Sequence, residues 1–495
     1  MNKHILKNLK PDHALLVLLA LAAAGCAVGP DFKRPAAPES AGYTRAPLGS
    51  TVAAPVAGGD AQHFAIGAAV QQQWWQAFGS SALNDLVRRA LAQNPNIASA
   101  EAALRAAHEN TAAQFGSYFP LVQADYSPSR QRNAVGTISP TLTSGDPIYT
   151  LHTAQLSVSY APDVFGLNRR TVESLQAQED IQRDQLQAAY LTLASNVASA
   201  AIQEAALRAQ IKATQEVIDA DRKALDILHS QASLGFASGL DVAAQESALA
   251  QAQQALPPLN KQLEQTRDLL AVLAGQLPAQ GGTDDFDLDS LRLPQELPLS
   301  LPADLVRQRP DVRAAEDAVH AASAEVGIAL ANRLPQLSLS AAYGGSATQF
   351  SRMFADDNKF WSLTGNVSQT LFDFGSLHHH QHAAEAALDQ AKAQYRGTVL
   401  TAFQNVADAL YALDADAEAL AATANAETAA KRTLDLTQRQ FDLGAINGLN
   451  LLAARSAWQQ AVLARVQAQA ARYTDTVALF QALGGAWQEQ TASKG

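Results

Sequence analysis

The strongest constraint on this chain is that its features come twice. Asn94-Pro95 is answered by Arg309-Pro310, and Phe119-Pro120 by Leu334-Pro335, each 215 positions further on. Phe165-Gly166 is answered by Phe374-Gly375, Leu234-Gly235 by Leu443-Gly444, Gly239-Leu240 by Gly448-Leu449, and Gly275 by Gly484, each 209 positions further on. The offset changes once, between Pro120 and Phe165, which is where a hairpin loop tolerates a change of length. Such self-similarity marks a repeated supersecondary unit, so whatever one copy folds into must be accommodated twice.

Each copy reads as helix, strand, strand, very long helix, tight turn, helix. The first helices are expected over about residues 83–114 and 303–332. In the strand segments apolar residues alternate with small polar ones: Val122, Ala124 and Tyr126, then Leu156, Val158 and Tyr160, then Leu337, Leu339, Ala341 and Tyr343, then Leu363 and Val367. Period two with one apolar and one polar face is a strand signature. Tyr118, Phe119, Tyr149, Phe165, Phe350, Phe360, Trp361, Phe372 and Phe374 gather at the ends of these segments. Aromatic girdles of that kind flank strands that cross a membrane with their apolar face to lipid. A small soluble sheet with one face on a core is the plainer alternative.

The long helices are expected over about residues 167–234 and 377–443, since no proline lies between Pro162 and Pro257 and none follows Pro335. At 1.5 Å per residue each reaches roughly 100 Å, more than a compact domain needs. Tyr190, Val197, Ile211, Ile218 and Leu225 recur at heptad spacing, with Leu186, Leu193 and Leu207 in a second row, the pattern of a coiled-coil seam. Abundant alanine beside the seam lets further helices approach. Four strands cannot close a barrel around a lumen, so an oligomer is implied; three chains would supply twelve.

Lys3, Lys7 and Lys10 precede an apolar run that ends in Gly25 and Cys26. The run is about half the roughly 20 residues that cross a bilayer, so it reads as a secretory leader, residues 1–25. Cys26 is the sole cysteine and has no disulfide partner. Ala23 to Cys26 resembles a lipobox, in which cleavage before the cysteine is coupled to its acylation; an ordinary leader with a cysteine at its end is the alternative. The formal charge of −11 includes no basic block able to neutralise a phosphate backbone, so no nucleic-acid partner is expected.

Beyond the leader, Cys26-Ala-Val-Gly-Pro-Asp-Phe-Lys-Arg-Pro35, then Trp74-Trp75-Gln76-Ala77-Phe78, then Leu83, Leu86, Ala90 and Asn94-Pro95 follow in order, and the doubled Leu-Gly-x-x-x-Gly-Leu turns and Phe-Gly junctions complete the set. This ordered set resembles the TolC-like outer-membrane efflux proteins, in particular the lipoprotein (NodT-type) branch that serves RND pumps. The resemblance implies a mainly α chain with a membrane β-barrel: a homotrimer with a 12-stranded barrel, four strands per chain, continued by a long periplasmic α-helical coiled-coil barrel. It divides the chain into an acylated extended segment (26–73), a first repeat (74–275), an equatorial linker (276–302), a second repeat (303–485) and a tail (486–495). For the proline-rich linker, a plain tether is the bland alternative.

The same resemblance implies diacylglycerol and palmitoyl chains on Cys26, no other cofactor, and Ala27 as an address for the outer membrane, whose lipid would hold the anchor. Its partners would be a periplasmic adaptor (membrane fusion) protein and an inner-membrane RND-type transporter. Contact with the adaptor would fall on Leu234, Gly235, Gly239, Leu240, Leu443, Gly444, Gly448 and Leu449, where helix-end glycines without a partner are the simpler reading. Asp241 would join an acidic ring that favours cations; the second turn is followed by Asn450, Leu451, Leu452 and Ala453, with no acid.

His378 and His382 stand four apart on one helix face, as a metal site would need, but solvated histidines are the expected reading and no metal is assigned. No phosphate loop and no free thiol nucleophile is present, so no enzymatic activity is expected. The function that follows is a passive exit duct for drugs or other small solutes. The exit duct of a type I protein-secretion system and a lipid-tethered coiled-coil scaffold without a pore are the competing readings.

Overall fold

The computed structural model describes residues 27–40, 42–46, 48–132, 148–281, 286–446 and 448–485. The leader, Cys26 and the tail therefore lie outside the described residues. In chain order the elements are β1 (His63–Ile66), α1 (Ser81–Gln93), α2 (Pro95–Phe115), β2 (Leu121–Arg132), β3 (Ile148–Tyr160), α3 (Leu167–Ser233) and α4 (Gly239–Leu273), then β4 (Glu296–Leu299), α5 (Pro302–Gln308), α6 (Pro310–Ala331), β5 (Gln336–Ala347), β6 (Lys359–Ser368), α7 (Ser376–Asp442) and α8 (Gly448–Ala482). Helices α3 and α7 have 67 residues each, and α4 and α8 have 35 each.

The first helix of each copy is not continuous. The pyrrolidine ring of a following proline excludes the helical region for the residue before it. Asn94 and Arg309 both sit at φ −69° with ψ 125° and 123°, and each ends one helix just before Pro95 or Pro310 starts the next. Elsewhere proline is tolerated: α4 runs on through Pro257 and Pro258, forgoing two backbone donors.

The chain divides into two compact units. The first holds the described residues up to Pro35, Leu104–Ile181 and Ala315–Tyr395. Its centre is a four-stranded antiparallel sheet in the order β2-β3-β5-β6, in which β3 of one copy pairs with β5 of the other. The N-terminal strap is pinned to the helices of this unit by Arg170, whose side chain is 4% exposed. Its guanidinium donates to the carboxylates of Asp31 at 2.8 Å and Glu173 at 2.7 Å, and to the Val28 carbonyl at 3.1 Å. Phe32 stacks on His320, and Arg34 pairs with Glu316 at 2.6 Å.

The second unit holds Ala36–Ala103, Gln182–Ala314 and the described residues from Arg396 on. Here β1 pairs in parallel with β4, and the proline-rich linker is packed, with Leu288, Leu291, Leu293 and Leu297 buried. Arg472, fully buried on α8, donates to the carbonyls of Gly58 and Asp60 and to Thr51 Oγ1. Trp74 stacks on Phe480. Along α3 the heptad positions Leu193, Val197, Leu207 and Ile218 are buried. Burial extends around the helix to Ala198, Ala201, Ile202 and Ala205, where small side chains admit neighbours on more than one side. Val217 and Ile218 close against Ala252, Leu249 and Leu256 of α4.

Candidate functional site

Two features have the makings of a site, one in each unit. In the first, the pairing register decides what the sheet presents. Val122 lies opposite Val158, Val158 opposite Ala341, and Ala341 opposite Leu363. The next row on that face runs Ala124, Leu156, Tyr343 and Trp361. Gln123, Ser157, Ala342 and Ser362 form the corresponding row on the opposite face. Since side chains alternate at period two, register alone gathers the apolar set on one side. That side is uncovered in the single chain: Trp361 is 77% exposed and Leu363 74%. Among the described residues, β2 and β6 each pair on one side only, so both ladder edges are open. Among the described residues, no helix is long and apolar enough to cross a membrane.

In the second unit the two tight turns lie side by side. Each ends its long helix in the same way. Gly235 (φ 80°) and Gly444 (φ 71°) adopt the left-handed conformation that glycine accepts at little cost. Phe236 N donates to the Gln231 carbonyl at 2.8 Å, and Ala445 N to the Gln440 carbonyl at 2.9 Å, closing the last helical turns. Gly239 and Gly448, by contrast, open α4 and α8 without a positive φ, and the space where a side chain would stand at Gly239 is empty. Leu234, Leu240, Leu443 and Leu449 are all exposed, as is Phe236.

Asp241 has a local task. Its carboxylate accepts from Ser238 N at 3.1 Å and from Ser238 Oγ at 2.7 Å, while Ser238 Oγ accepts from Asp241 N, the reciprocal cap of a helix start. The Ser238-x-x-Asp241 spacing carried that signal in the sequence.

Between the turns is a cleft of about 760 Å³ lined by Ile227, Phe236, Phe441 and Leu452 together with Lys223, Asp241 and Arg455. Below it a polar contact spans four helices. Buried Asp221 on α3 accepts from Gln245 Nε2 on α4 at 3.1 Å, and Arg455 Nη1 on α8 stands 3.8 Å from the same carboxylate oxygen. Arg455 Nη2 donates to Gln438 Oε1 on α7 at 3.1 Å. Burial raises the Asp221 carboxyl above its ordinary value, opposed by Gln245 and Arg455; burial likewise lowers the Arg455 guanidinium. None of these four partners was legible in the sequence: Arg455 lies 234 positions from Asp221, and Gln245 and Gln438 reach the group only across the turns.

His378 and His382 do come together, in the first unit, with Glu385 beside them. Cys26 lies outside the described residues.

An exposed apolar sheet with open edges, carried on a chain dominated by two very long helices, defines a class of membrane-associated protein. The chain belongs to the outer membrane efflux protein family, whose model matches residues 86–276 and 301–485. It is 31% identical over 456 residues to the pyoverdine export outer membrane protein OpmQ of Pseudomonas aeruginosa, covering 90% of this chain and 94% of that one. To the toluene efflux pump outer membrane protein TtgC of Pseudomonas putida it is 30% identical over 490 residues, 96% of each chain. Among solved structures, the outer-membrane channel OprN superposes with a TM-score of 0.83 at 27% identity, over 93% of this chain and all of that one. The Campylobacter jejuni CmeC outer membrane channel shares the fold, with a TM-score of 0.82 over 94% of this chain and 96% of that one, at 20% identity.

Proposed function

We propose that three copies of this chain close their sheets into one 12-stranded barrel in the outer membrane and form the exit duct of a tripartite efflux system. The observation that carries the reading is the uncovered apolar face of the β2-β3-β5-β6 sheet with its two open edges. In lipid every backbone donor and acceptor needs a partner, which an open four-stranded sheet does not supply and a closed one does. The apolar rows face lipid, and the rows of Gln123, Ser157, Thr364 and Asn366 face a wet lumen. The long helices continue that lumen as a coiled-coil barrel in the periplasm.

The duct is passive. An inner-membrane RND-type transporter supplies the energy, and a periplasmic adaptor meets the exposed leucines of the two turns. Asp241 lends the entrance negative charge. The relatives' names, toluene efflux and pyoverdine export, favour small organic solutes as cargo. Cys26 carries the diacylglycerol and palmitoyl chains. Val28 N donates to the Phe165 carbonyl at 3.1 Å, and Ala27 packs on Gly166, so the described strap begins beside the start of α3.

The deciding experiment is the native mass of the full-length protein in mild detergent, followed by conductance in planar bilayers. A trimer that conducts supports the duct. A folded monomer or dimer sinks it in favour of a lipid-tethered scaffold. Loss of palmitate labelling in Cys26→Ser tests the anchor.

A further inference from the structure

The start of α7 carries His378, His379, His380 and His382 within five positions. Residues four apart share a helix face, and the first and last of these are drawn together there. Their Nε2 atoms are 3.1 Å apart, with ring centroids at 4.3 Å and ring planes at 90°. His382 presents its other nitrogen, Nδ1, to Glu385 Oε2 at 3.0 Å, and Gln381 Nε2 donates to Glu385 Oε1 at 2.8 Å. A carboxylate at Nδ1 keeps the proton there and leaves the Nε2 lone pair available, the usual support of a metal-bound imidazole.

The separation fits a shared ion. Two imidazole nitrogens at about 2.0–2.1 Å from one metal, subtending about 90° to 110°, lie about 2.9–3.4 Å apart. Without an ion the same distance is bridged by a single proton between the rings. The helix start opposes a cation through its dipole. Asp373 offsets this: its carboxylate accepts from Gly375 N at 3.0 Å and Leu377 N at 2.7 Å, and so places a negative charge on that end.

We propose that His378 and His382, positioned by Glu385, form a docking site for a late first-row divalent ion such as Ni²⁺, Cu²⁺ or Zn²⁺. Imidazole pairs select these ions over the hard cations that prefer oxygen. Among the described residues no group of three or more such side chains converges on one point. The protein therefore supplies two donors, and the remaining positions are open to water or to a chelating solute. The inference does not depend on the duct: it concerns one exposed helix face of one chain.

The test uses full-length, untagged protein in mild detergent, stripped of metal and titrated calorimetrically with Ni²⁺, Zn²⁺ and, as the hard control, Mg²⁺. One equivalent of Ni²⁺ or Zn²⁺ per chain is expected, and no Mg²⁺. His378→Ala and His382→Ala each abolish uptake, His380→Ala keeps it, and Glu385→Gln weakens it by about 10–100-fold. Elution volume and circular dichroism identify any variant that fails to fold, and His378→Gln then replaces His378→Ala. Uptake unchanged in both alanine variants, equal loss in His380→Ala, or no uptake by the native protein overturns the proposal.

Discussion

Arg309 donates from Nη1 to the carbonyl oxygen of Ala482 at 2.8 Å, tying the residue before Pro310 to the last turn of α8. Asn94 does the same in the first copy, where its Nδ2 reaches the Leu273 carbonyl at 2.9 Å. An amide and a guanidinium thus satisfy the same orphan carbonyl in the two halves, and a glycine sits beside each junction. A Cβ on Gly275 would fall 2.4 Å from the Gln93 carbonyl oxygen, and one on Gly484 would fall 2.8 Å from Arg309 Cγ. Both glycines have positive φ. Gly275→Ala and Gly484→Ala are each expected to cost about 1–3 kcal/mol in denaturant unfolding. Gly239→Ala, with ordinary φ and free space, should be close to neutral.

The apolar face of the sheet gives a second expectation. Val158→Arg and Leu339→Arg should each cost about 2–4 kcal/mol if their face meets lipid at mid-bilayer. Ser340→Arg, on the opposite, polar face, should cost much less. The fraction of each variant recovered in outer membranes as a detergent-resistant oligomer is the readout. Equal recovery of all three would remove the assignment of faces.

Asp416 of α7 is a proton-sensitive point. Burial, reinforced by Asp475 and opposed by Arg472, raises its carboxyl from 3.8 to about 7. The folded chain therefore holds this proton more tightly than the unfolded one. The stability it contributes is complete below about pH 4 and is lost as pH rises through about 7. The thermal midpoint should fall between about pH 4 and pH 7 and level off above that, and Asp416→Asn should remove about one proton per chain from that slope. A native-like slope in the variant would place the titration elsewhere.

Arg455 belongs to the contact beneath the two turns. Arg455→Ala leaves buried Asp221 with Gln245 alone, a loss of about 1–3 kcal/mol. Because the contact joins α3, α4, α7 and α8, the turns should loosen. In bilayers the expected outcome is a higher mean conductance than the native duct, and Arg455→Lys should restore part of the difference. A variant with unchanged conductance would confine this group to stability.

The long helices and the alternating strand faces were legible because each rests on local spacing. Alternation at period two put Val122, Leu156, Leu339 and Leu363 each on the apolar face of its own strand, and the pairing register then brought those faces to one side. The breaks at Asn94 and Arg309 were carried by the proline after each, yet amphipathic spacing on both sides reads straight through them. The pairing of β1 with β4 was missed: each strand is four residues long, and they lie more than two hundred positions apart. The approach of Arg455 to Asp221, 234 positions apart, was missed for the same reason. Glu385 was overlooked although it stands only three residues beyond His382, within reach of a helical neighbour.

The open edges of β2 and β6 have a genetic consequence. Each unpaired ladder group left in lipid costs several kcal/mol, so in the proposed trimer no subunit can enter the membrane ahead of its companions. Insertion becomes a collective event, and one chain with a broken edge condemns two sound ones. In a cell making native and edge-defective chains in equal amounts, random mixing leaves about one assembly in eight intact, so such an allele would behave as dominant over the native one.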